Sequence, residues 1–198
     1  QTNYTYDGTA KTPAVTVKDG TKTLTNGTDY TVAYSNNTNA GTATVTVTGK
    51  GNYTGTKTAN FTINKATITI EATAYSGTYD GSAHAALTNV KITPSDATVK
   101  YYLDGVDKGT TIPTVTGAKT YTVSISVSKE NYETATDSWT VTVGQKGAAN
   151  FTVTLGQTKY TYDGTAKKPA VTVKDGTKTL TSGTDYTVAY SNNTNAGT

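Results

Sequence analysis

The sequence of 198 residues contains no cysteine and no methionine. Because cysteine is absent, no disulfide bridge can hold the fold together, and the redox compartment cannot be read from cysteine usage. The chain begins at Gln1 and shows no signal peptide, so we expect an excised or processed piece of a longer protein. Without disulfides, each folded part of the chain must be stabilised by its own packing.

Arginine and long hydrophobic runs are also absent. All 17 basic residues are lysine, against 14 acidic residues, which gives a net charge of +3. Proteins that read nucleic acids use arginine for bidentate base contacts, so we expect no nucleic-acid partner. No apolar run reaches the roughly 20 residues that a membrane-spanning helix needs, so we expect no membrane insertion in this segment.

Residues that carry catalysis are scarce. His84 is the only histidine, and no cysteine or second histidine lies at metal-ligand spacing from it. No serine lies in a nucleophile-elbow context, and the sequence does not suggest a pair of converging carboxylates. We therefore expect a protein that is not an enzyme, with no catalytic residues, no cofactor and no bound metal.

Residues that favour strands are abundant. Apolar residues make up only 34% of the chain, but threonine is frequent and there are 15 tyrosines. β-branched and aromatic residues suit a pleated, half-buried surface. Residues 42–48, 56–63 and 121–127 alternate between polar and apolar side chains with a period of two, which predicts strands with one buried face. The fold class predicted is all-β.

The chain is built from repeats. One motif occurs at three places: Tyr6-Asp7-Gly8, Tyr79-Asp80-Gly81 and Tyr162-Asp163-Gly164. Residues 4–42 recur as residues 160–198 with two differences, Thr12 against Lys168 and Asn26 against Ser182. Such self-similarity indicates an array of modules. The predicted modules are residues 1–64, residues 65–146 of a second type, and a partial module at residues 147–198.

Each complete module contains six or seven short strand signals separated by turn signals, which is typical of a small immunoglobulin-like β-sandwich. We therefore expect tandem immunoglobulin-like β-sandwiches in an elongated array. The third module stops before any counterpart of residues 43–63, and the first lacks a counterpart of residues 149–155. We infer a super-repeat of two modules, of which this chain is a window. The alternative is that the boundaries have no meaning, and a complete, closed third module would contradict the inference.

Four motifs carry a resemblance to a known family. They are Tyr-Thr-Tyr-Asp-Gly-Thr-Ala-Lys-x-Pro, Asp-Tyr-Thr-Val-x-Tyr-x-Asn-Asn, Asn-Ala-Gly-Thr-Ala-Thr-Val and Gly-Lys-Gly-Asn-Tyr-Thr-Gly. The sequence resembles the bacterial immunoglobulin-like repeats called MBG or YDG domains, which stand in tandem in large surface proteins and adhesins. The resemblance implies a β-sandwich stalk at the bacterial surface, in a Gram-positive organism or a gut bacterium. It implies no catalytic residues and no particular ligand.

The candidate sites each have a structural alternative. The Tyr-Asp-Gly turn offers a carboxylate to a cation, but Ca²⁺ needs six or more oxygens. We therefore predict that Asp bonds its own backbone, Gly adopts a positive φ and Tyr caps the core. The lone Trp139 alternates with Val141, which predicts a core position. We do not expect an internal Lys–Asn isopeptide bond, because it needs buried charged partners and the first module contains no Glu.

Exposed tyrosines are the remaining candidates for binding. Tyr53, Tyr75, Tyr101 and Tyr102 could form a platform on which sugars stack, because aromatic faces suit CH-bearing ligands. Of these, Tyr53, Tyr101 and Tyr102 are the candidate ligand-facing residues. The alternative is that tyrosines on strands pack within their own sheet.

Two functions remain open on the sequence alone. The first is a structural stalk or fibre segment of a bacterial cell-surface or cell-wall protein, whose partners are neighbouring copies of the same repeat. The second is an adhesive module that binds host glycans or proteins through tyrosine-bearing strands and asparagine-rich loops.

Overall fold

The computed structural model describes residues 3–197. Eighteen strands and one 3-10 turn at Ala148–Asn150 make up the regular structure of this part of the chain, which contains no α-helix. The predicted all-β, sandwich-like fold is thus confirmed. The chain divides into two compact units, of which the first ends at Gln145 and the second begins at Lys146.

The first module consists of one main sheet and a short hairpin. Its strands are β1 (Asn3–Thr5), β2 (Lys18–Asp19), β3 (Lys22–Thr23), β4 (Tyr30–Ser35), β5 (Gly41–Gly49) and β6 (Thr56–Asn64). The main sheet has the order β1-β6-β5-β4, in which β1 runs parallel to β6 and the other pairs are antiparallel. β2 and β3 form the hairpin.

Alternation along β5 and β6 builds the core of this module. Ala43, Phe61 and Ile63 are buried, and the threonines and lysines between such positions face outward. The edges of the Tyr4 and Tyr34 rings meet Phe61, with ring centroids 5.7 and 6.5 Å apart. The inward faces predicted from the period of two are therefore confirmed here.

The second module combines one five-stranded sheet with two separate pairs of strands. Its strands are β7 (Thr69–Ala74), β8 (Ser76–Thr78), β9 (His84–Ala85), β10 (Leu87–Thr93), β11 (Thr98–Leu103), β12 (Val106–Asp107), β13 (Thr114–Val115), β14 (Thr120–Ser128) and β15 (Ala135–Gly144). One sheet has the order β12-β11-β14-β15-β8, β10 pairs with β7, and β13 pairs with β9. The order β11-β14-β15-β8, with β8 parallel to β15, repeats the order β4-β5-β6-β1 of the first module.

The core of the second module lies between these sheets. Val123, Ile125 and Val127 of β14 are almost fully buried, as are Val141 and Val143 of β15. Trp139 is only half-buried and packs at the margin of this core. Two adjacent strands with alternating apolar residues thus bury most of the apolar side chains of their inner faces, which is the main source of stability in such a sandwich.

The second unit contains a single sheet. Its strands are β16 (Phe151–Leu155), β17 (Val171–Asp175) and β18 (Lys178–Thr179), in the order β16-β17-β18. Val173 is buried, but Tyr162 is 62% exposed and Val153 is also 62% exposed. Residues 146–197 therefore do not form a closed sandwich. The division of the chain into modules at residues 64 and 146 stays a prediction.

One identical segment differs in structure between the two copies. Residues 13–18 and 169–174 share one sequence. Val171–Asp175 is a strand because Phe151–Leu155 lies beside it and the two exchange hydrogen bonds. Residues 13–17 form no strand, and no such neighbour flanks them within residues 3–197. Strand structure here follows from the neighbouring chain segment, since a strand alone leaves its backbone groups unpaired.

This difference predicts a measurable contrast in amide exchange. The amides of Thr172 and Lys174 should exchange more slowly than those of Thr16 and Lys18, since the alternation of bonded pairs that continues from Gly156 and Ala170 directs these amides to Phe151–Leu155, a neighbour found only in the second copy. Hydrogen–deuterium exchange followed by mass spectrometry measures this contrast, and peptides from the two copies are distinguished by Thr12 and Lys168. Equal exchange at the two places would contradict the assignment.

Candidate interface between repeats

The three Tyr-Asp-Gly turns are closed by their own aspartates. Oδ1 of Asp7 accepts hydrogen bonds from the backbone N–H of Thr9 at 2.9 Å and from its hydroxyl at 2.6 Å. Asp163 receives the equivalent bonds from Thr165 at 2.9 and 2.6 Å. The glycine that follows each Asp has a positive φ, +81° at Gly8 in the first turn. The self-bonded Asp and the left-handed Gly predicted from the sequence are confirmed.

A basic residue four positions after each Asp completes the turn. Lys11 forms an ion pair with Asp7, and Lys167 forms one with Asp163. In the second module His84 takes this position, with Nε2 3.0 Å from Oδ1 of Asp80. Sequence analysis missed this contact, although the fixed spacing of four residues in all three turns was a usable signal.

These contacts set the charge of the turn. The hydrogen bond from Lys11 is the main reason that the pKa of Asp7 lies far below its ordinary value, and Lys167 lowers the pKa of Asp163 in the same way. The pKa of Asp80 is also lowered, first by the backbone N–H of Ser82 and then by His84. Each of these carboxylates is therefore ionised, and it interacts with hydrogen-bond donors of its own turn.

A metal site would need several such ligands together. Within residues 3–197, no group of three or more histidine and carboxylate side chains lies close enough to hold a metal ion. His84 instead stacks on the Tyr75 ring, with centroids 4.4 Å apart and planes inclined by 12°. The side chains of these turns stabilise the local fold: each Asp closes its own loop, and His84 stacks on the Tyr75 ring.

The candidate tyrosines do not share one environment. Tyr101 is 6% exposed and belongs to the core of the second module, so its assignment as ligand-facing is wrong. Tyr101 belongs to the same buried cluster as Ile125 and Val127, and burial raises the pKa of its hydroxyl. Tyr102 points to the other side of β11 and is half-buried, as strand alternation requires.

Tyr53 lies in the other module, in the connection between β5 and β6. It is half-buried, and its hydroxyl donates a hydrogen bond to Asp19 at 3.4 Å. A cavity of about 420 Å³ lies beside it, lined among others by Lys18, Leu24 and Tyr30. Tyr53 and Tyr102 thus lie on different modules, and their ligand-facing role stays a prediction.

The most extensive polar contact between modules involves Asn131. This residue lies in the turn between β14 and β15, where its φ of +67° places it in the left-handed region that Asn tolerates. Its Oδ1 accepts a hydrogen bond from the N–H of Ala40 at 2.9 Å, and its Nδ2 donates to Oδ1 of Asn39 at 3.4 Å. One side chain thus bonds to the asparagine-rich loop of the preceding module twice.

The next residue adds an aromatic contact. The Tyr132 ring meets the Tyr6 ring edge to face, with centroids 5.6 Å apart and planes inclined by 77°. Tyr6 belongs to the first Tyr-Asp-Gly motif, so this tyrosine contacts the next module. An edge-to-face pair contributes roughly 0.5–1.5 kcal/mol beyond the area that it buries.

The linker between the two modules also contacts the turn that carries Asn131. The N–H of Ala66 donates to the carbonyl of Asn131 at 3.0 Å, and the N–H of Glu133 donates to the carbonyl of Ala66 at 2.8 Å. Ala66 also forms an isolated bridge with Tyr132. The segment between the modules is therefore held by backbone hydrogen bonds to the turn, and three kinds of contact converge on one junction. We call Tyr6, Asn39, Ala40, Asn131 and Tyr132, with the linker residue Ala66, the junction.

The sequence indicates the turn that carries Asn131, but it does not indicate which residues this turn contacts. The turn at residues 129–132 echoes Lys50-Gly51-Asn52-Tyr53 of the first module, which marks it as part of a repeat. Its contact with residues 39 and 40 spans about ninety positions, and no local pattern encodes such a pairing. The asparagine-rich loop, which would face a ligand under the adhesive hypothesis, contacts the neighbouring module through Asn39 and Ala40.

The junction predicts a loss of stability on removal of the Asn131 amide. Asn131→Gly keeps the left-handed backbone but deletes both side-chain bonds, so the free energy of unfolding should fall by about 1 kcal/mol. Asn36→Gly is the matched control, because Asn36 of the first module also has a left-handed φ, +53°, and it should cost less. Urea titration followed by Trp139 fluorescence measures both, and an equal loss would contradict the junction.

The aromatic pair predicts energetic coupling. In a double-mutant cycle of Tyr6→Leu and Tyr132→Leu, the two losses should not add, with a coupling of about 0.5–1.5 kcal/mol. The measurement is the free energy of unfolding of the four proteins. Additive losses would show that the two rings do not interact.

The turn aspartates predict a dependence on pH. Because the pKa of Asp7 is lower in the folded protein than its unfolded value of about 3.9, its stabilising effect is complete above that pH and is lost as the pH falls further. Asp7→Asn should therefore flatten the fall in unfolding free energy below about pH 4. Asp137→Asn on β15 is the control, and an unchanged profile in Asp7→Asn would contradict the assignment.

Comparison with known proteins gives a partial match. Residues 87–159 match the model of the PEGA domain, a β-rich domain often found in extracellular or periplasmic proteins. No model of MBG or YDG repeats matches, so that resemblance stays a prediction. No curated protein shows significant similarity to the chain. Within the described residues, no helix is long and apolar enough to cross a membrane. The matched stretch, from β10 to β16, is thus similar to a β-rich domain and covers less than half of the chain.

Proposed function

We propose that the chain is a structural segment of a tandem-repeat stalk or fibre in a bacterial cell-surface protein, and that it spaces or assembles other parts without catalysing a reaction. The observation that carries the proposal is the junction. A spacer needs neighbouring modules to hold a fixed orientation, and the junction supplies hydrogen bonds, an aromatic pair and a paired linker at one place.

The length of the linker supports this proposal. β6 ends at Asn64 and β7 begins at Thr69, so only four residues connect the two modules. A short linker whose backbone is hydrogen-bonded leaves little freedom between domains, whereas a flexible linker would allow independent motion.

Repetition of the junction residues supports an array. Tyr6, Asn39 and Ala40 recur at Tyr162, Asn195 and Ala196 in the third module. A module of the second type placed after the third module would find the same residues that Asn131 and Tyr132 contact in the first. Neighbouring copies of the repeat are therefore the partners that we propose, and the location proposed is the surface or wall of a Gram-positive bacterium.

An adhesive role is the second candidate, and one observation favours it. The cavity of about 420 Å³ beside Tyr53 offers an aromatic ring together with Lys18 and Asp19, which suits a sugar or a polar peptide of a host protein. Glycan-array and mucin binding tests this role. Binding that is lost in Tyr53→Ala would establish it, and no binding across both assays favours the spacer.

The spacer proposal predicts a common orientation for the first two modules. Residual dipolar couplings from residues 3–64 and from residues 67–143 should fit one alignment tensor, because the junction suppresses independent motion. The double variant Asn131→Gly, Tyr132→Ala should need two tensors. Two different tensors in the unmodified protein would contradict a spacer that depends on this junction.

A further inference from the structure

One edge of the main sheet in the first module is open. β4 is the outermost strand of the order β1-β6-β5-β4, so only one of its two sides faces another strand. Within residues 3–197, no strand pairs with the other side. The backbone groups on that side are therefore available to a strand from another molecule, because an edge strand is a template for further pairing.

The hydrogen bonds at the beginning of β4 show which backbone groups are open. The N–H of Lys50 donates to the carbonyl of Asp29 at 2.8 Å, so this pair and every second pair after it are bonded between β4 and β5. The N–H and C=O groups of Val32 and Tyr34 lie between those pairs and point away from β5. The carbonyl of Tyr30 also points away, but it already accepts a hydrogen bond from the preceding turn at 2.7 Å.

The second module covers the equivalent edge with its own chain. β11 takes the place of β4 there, and β12 pairs with the end of β11. Further along the same edge, the N–H of Tyr101 donates to the carbonyl of Gly109 and the N–H of Lys108 donates to the carbonyl of Tyr101, both at 2.8 Å. In the first module the chain passes from Ser35 to Gly41 without a strand between them, and it does not return along β4. Only the first type of module thus has an open edge at this place.

β4 also lacks the features that keep natural edge strands from pairing. Such strands are protected by charged side chains, by proline or by bulges. The sequence Thr-Val-Ala-Tyr-Ser at residues 31–35 contains no charged residue and no proline. Its pairing with β5 shows no register shift, so β4 carries no bulge. The open edge is therefore regular, neutral and ready to receive a strand.

We propose that β4 pairs with β4 of a second copy of the chain, in antiparallel fashion and centred on Ala33. In this register Val32 lies opposite Tyr34 of the second copy, and Tyr34 lies opposite Val32 of the second copy. Each of these pairs exchanges an N–H···O bond in both directions, so every open N–H and C=O of Val32 and Tyr34 is satisfied. The arrangement has twofold symmetry, which closes the assembly at two strands.

The side chains of β4 suit this register on both faces of the sheet. On the inner face, half-buried Val32 meets half-buried Tyr34, and a β-branched residue opposite an aromatic one stabilises an antiparallel pair. On the outer face, Ala33 meets its own copy at the place where the two backbones approach most closely, and its methyl group fits there. Thr31 lies opposite Ser35, so two hydroxyl groups meet and no like charges do.

This self-complementarity favours a second copy over other partners. Any extended peptide satisfies backbone groups, but the open groups of β4 are symmetric about Ala33, and the side chains match under the same symmetry. The inference deepens the proposed stalk function and rests on it in one respect. A stalk that contains several modules of the first type repeats the pairing along its length, so that weak pairs combine into side-by-side association.

Charge substitutions at Ala33 test the pairing in the full chain. Ala33 is exposed, and Ala33→Lys places two lysines directly opposite each other in the proposed pair. Self-association, measured by sedimentation velocity at rising protein concentration, should weaken at least about tenfold, and Ala33→Glu should weaken it equally. An equimolar mixture of the two variants should restore association, because opposite charges then face each other. Restoration also shows that both variants are folded.

The repeat supplies a matched control. Residues 186–191 have the same sequence as residues 30–35, and Ala189 is the counterpart of Ala33 but lies in no strand. Ala189→Lys therefore adds the same charge in the same local sequence without touching β4. This variant should associate as strongly as the unmodified chain.

Amide exchange gives a second readout that identifies the edge. In the unmodified chain, exchange at the N–H groups of Val32 and Tyr34 should slow as the protein concentration rises, because these groups become bonded in the pair. The N–H of Ala33 is already bonded to β5 and should not change. In Ala33→Lys, the exchange at Val32 and Tyr34 should be independent of concentration.

Three results would overturn the proposal. A chain that stays monomeric at every concentration would exclude a second copy and leave an extended segment of a different protein as the occupant. Association that Ala33→Lys leaves unchanged would place the contact on another surface, as would a failure of the mixed variants to associate. The spacer function is tested separately: a monomeric chain whose first two modules fit one alignment tensor would overturn this pairing and leave the junction intact.

Discussion

The structure depends on a single requirement, that a strand must have another strand beside it. The backbone N–H and C=O groups of an extended segment are satisfied only by a neighbour or by water. The repeats make this requirement visible, because one sequence occurs in two surroundings. Val171–Asp175 is a strand beside Phe151–Leu155, and Tyr30–Ser35 is a strand beside Gly41–Gly49. Residues 15–17 and residues 187–190, which are identical in sequence to parts of these strands, lack those neighbours and are not strands.

The local pattern predicts those elements whose neighbours are present in the chain. Alternation placed β5, β6 and β14 within one or two residues of their observed bounds and identified their inner faces. Residues 13–17 also alternate with a period of two but form no strand, since this period reports which side chains could be buried and says nothing about the neighbour. Residues 108–112 form no strand either, because the carboxylate of Asp107 accepts a hydrogen bond from the N–H of Gly109 and turns the chain after β12.

The candidate site was predicted less well than the fold. The recurrence of Tyr-Asp-Gly gave the turn, its bonded aspartate and its left-handed glycine, because all three are local. It did not give the role of Tyr6, whose partner Tyr132 is distant in sequence. Tyr101 and Tyr102 were both predicted to face a ligand, but adjacent strand residues face opposite sides, so only one of the two can be outward. Long-range packing decided each of these cases.

Neighbouring strands, and not sequence, decide the structure of the repeated segment, and this is the central claim. Backbone chemical shifts of residues 31–34 and of residues 187–190, measured in the same sample, test it most directly. The account predicts extended β shifts at the first place and shifts close to random coil at the second, although the two sequences are identical. Matching β shifts at both places in a monomeric sample would contradict it.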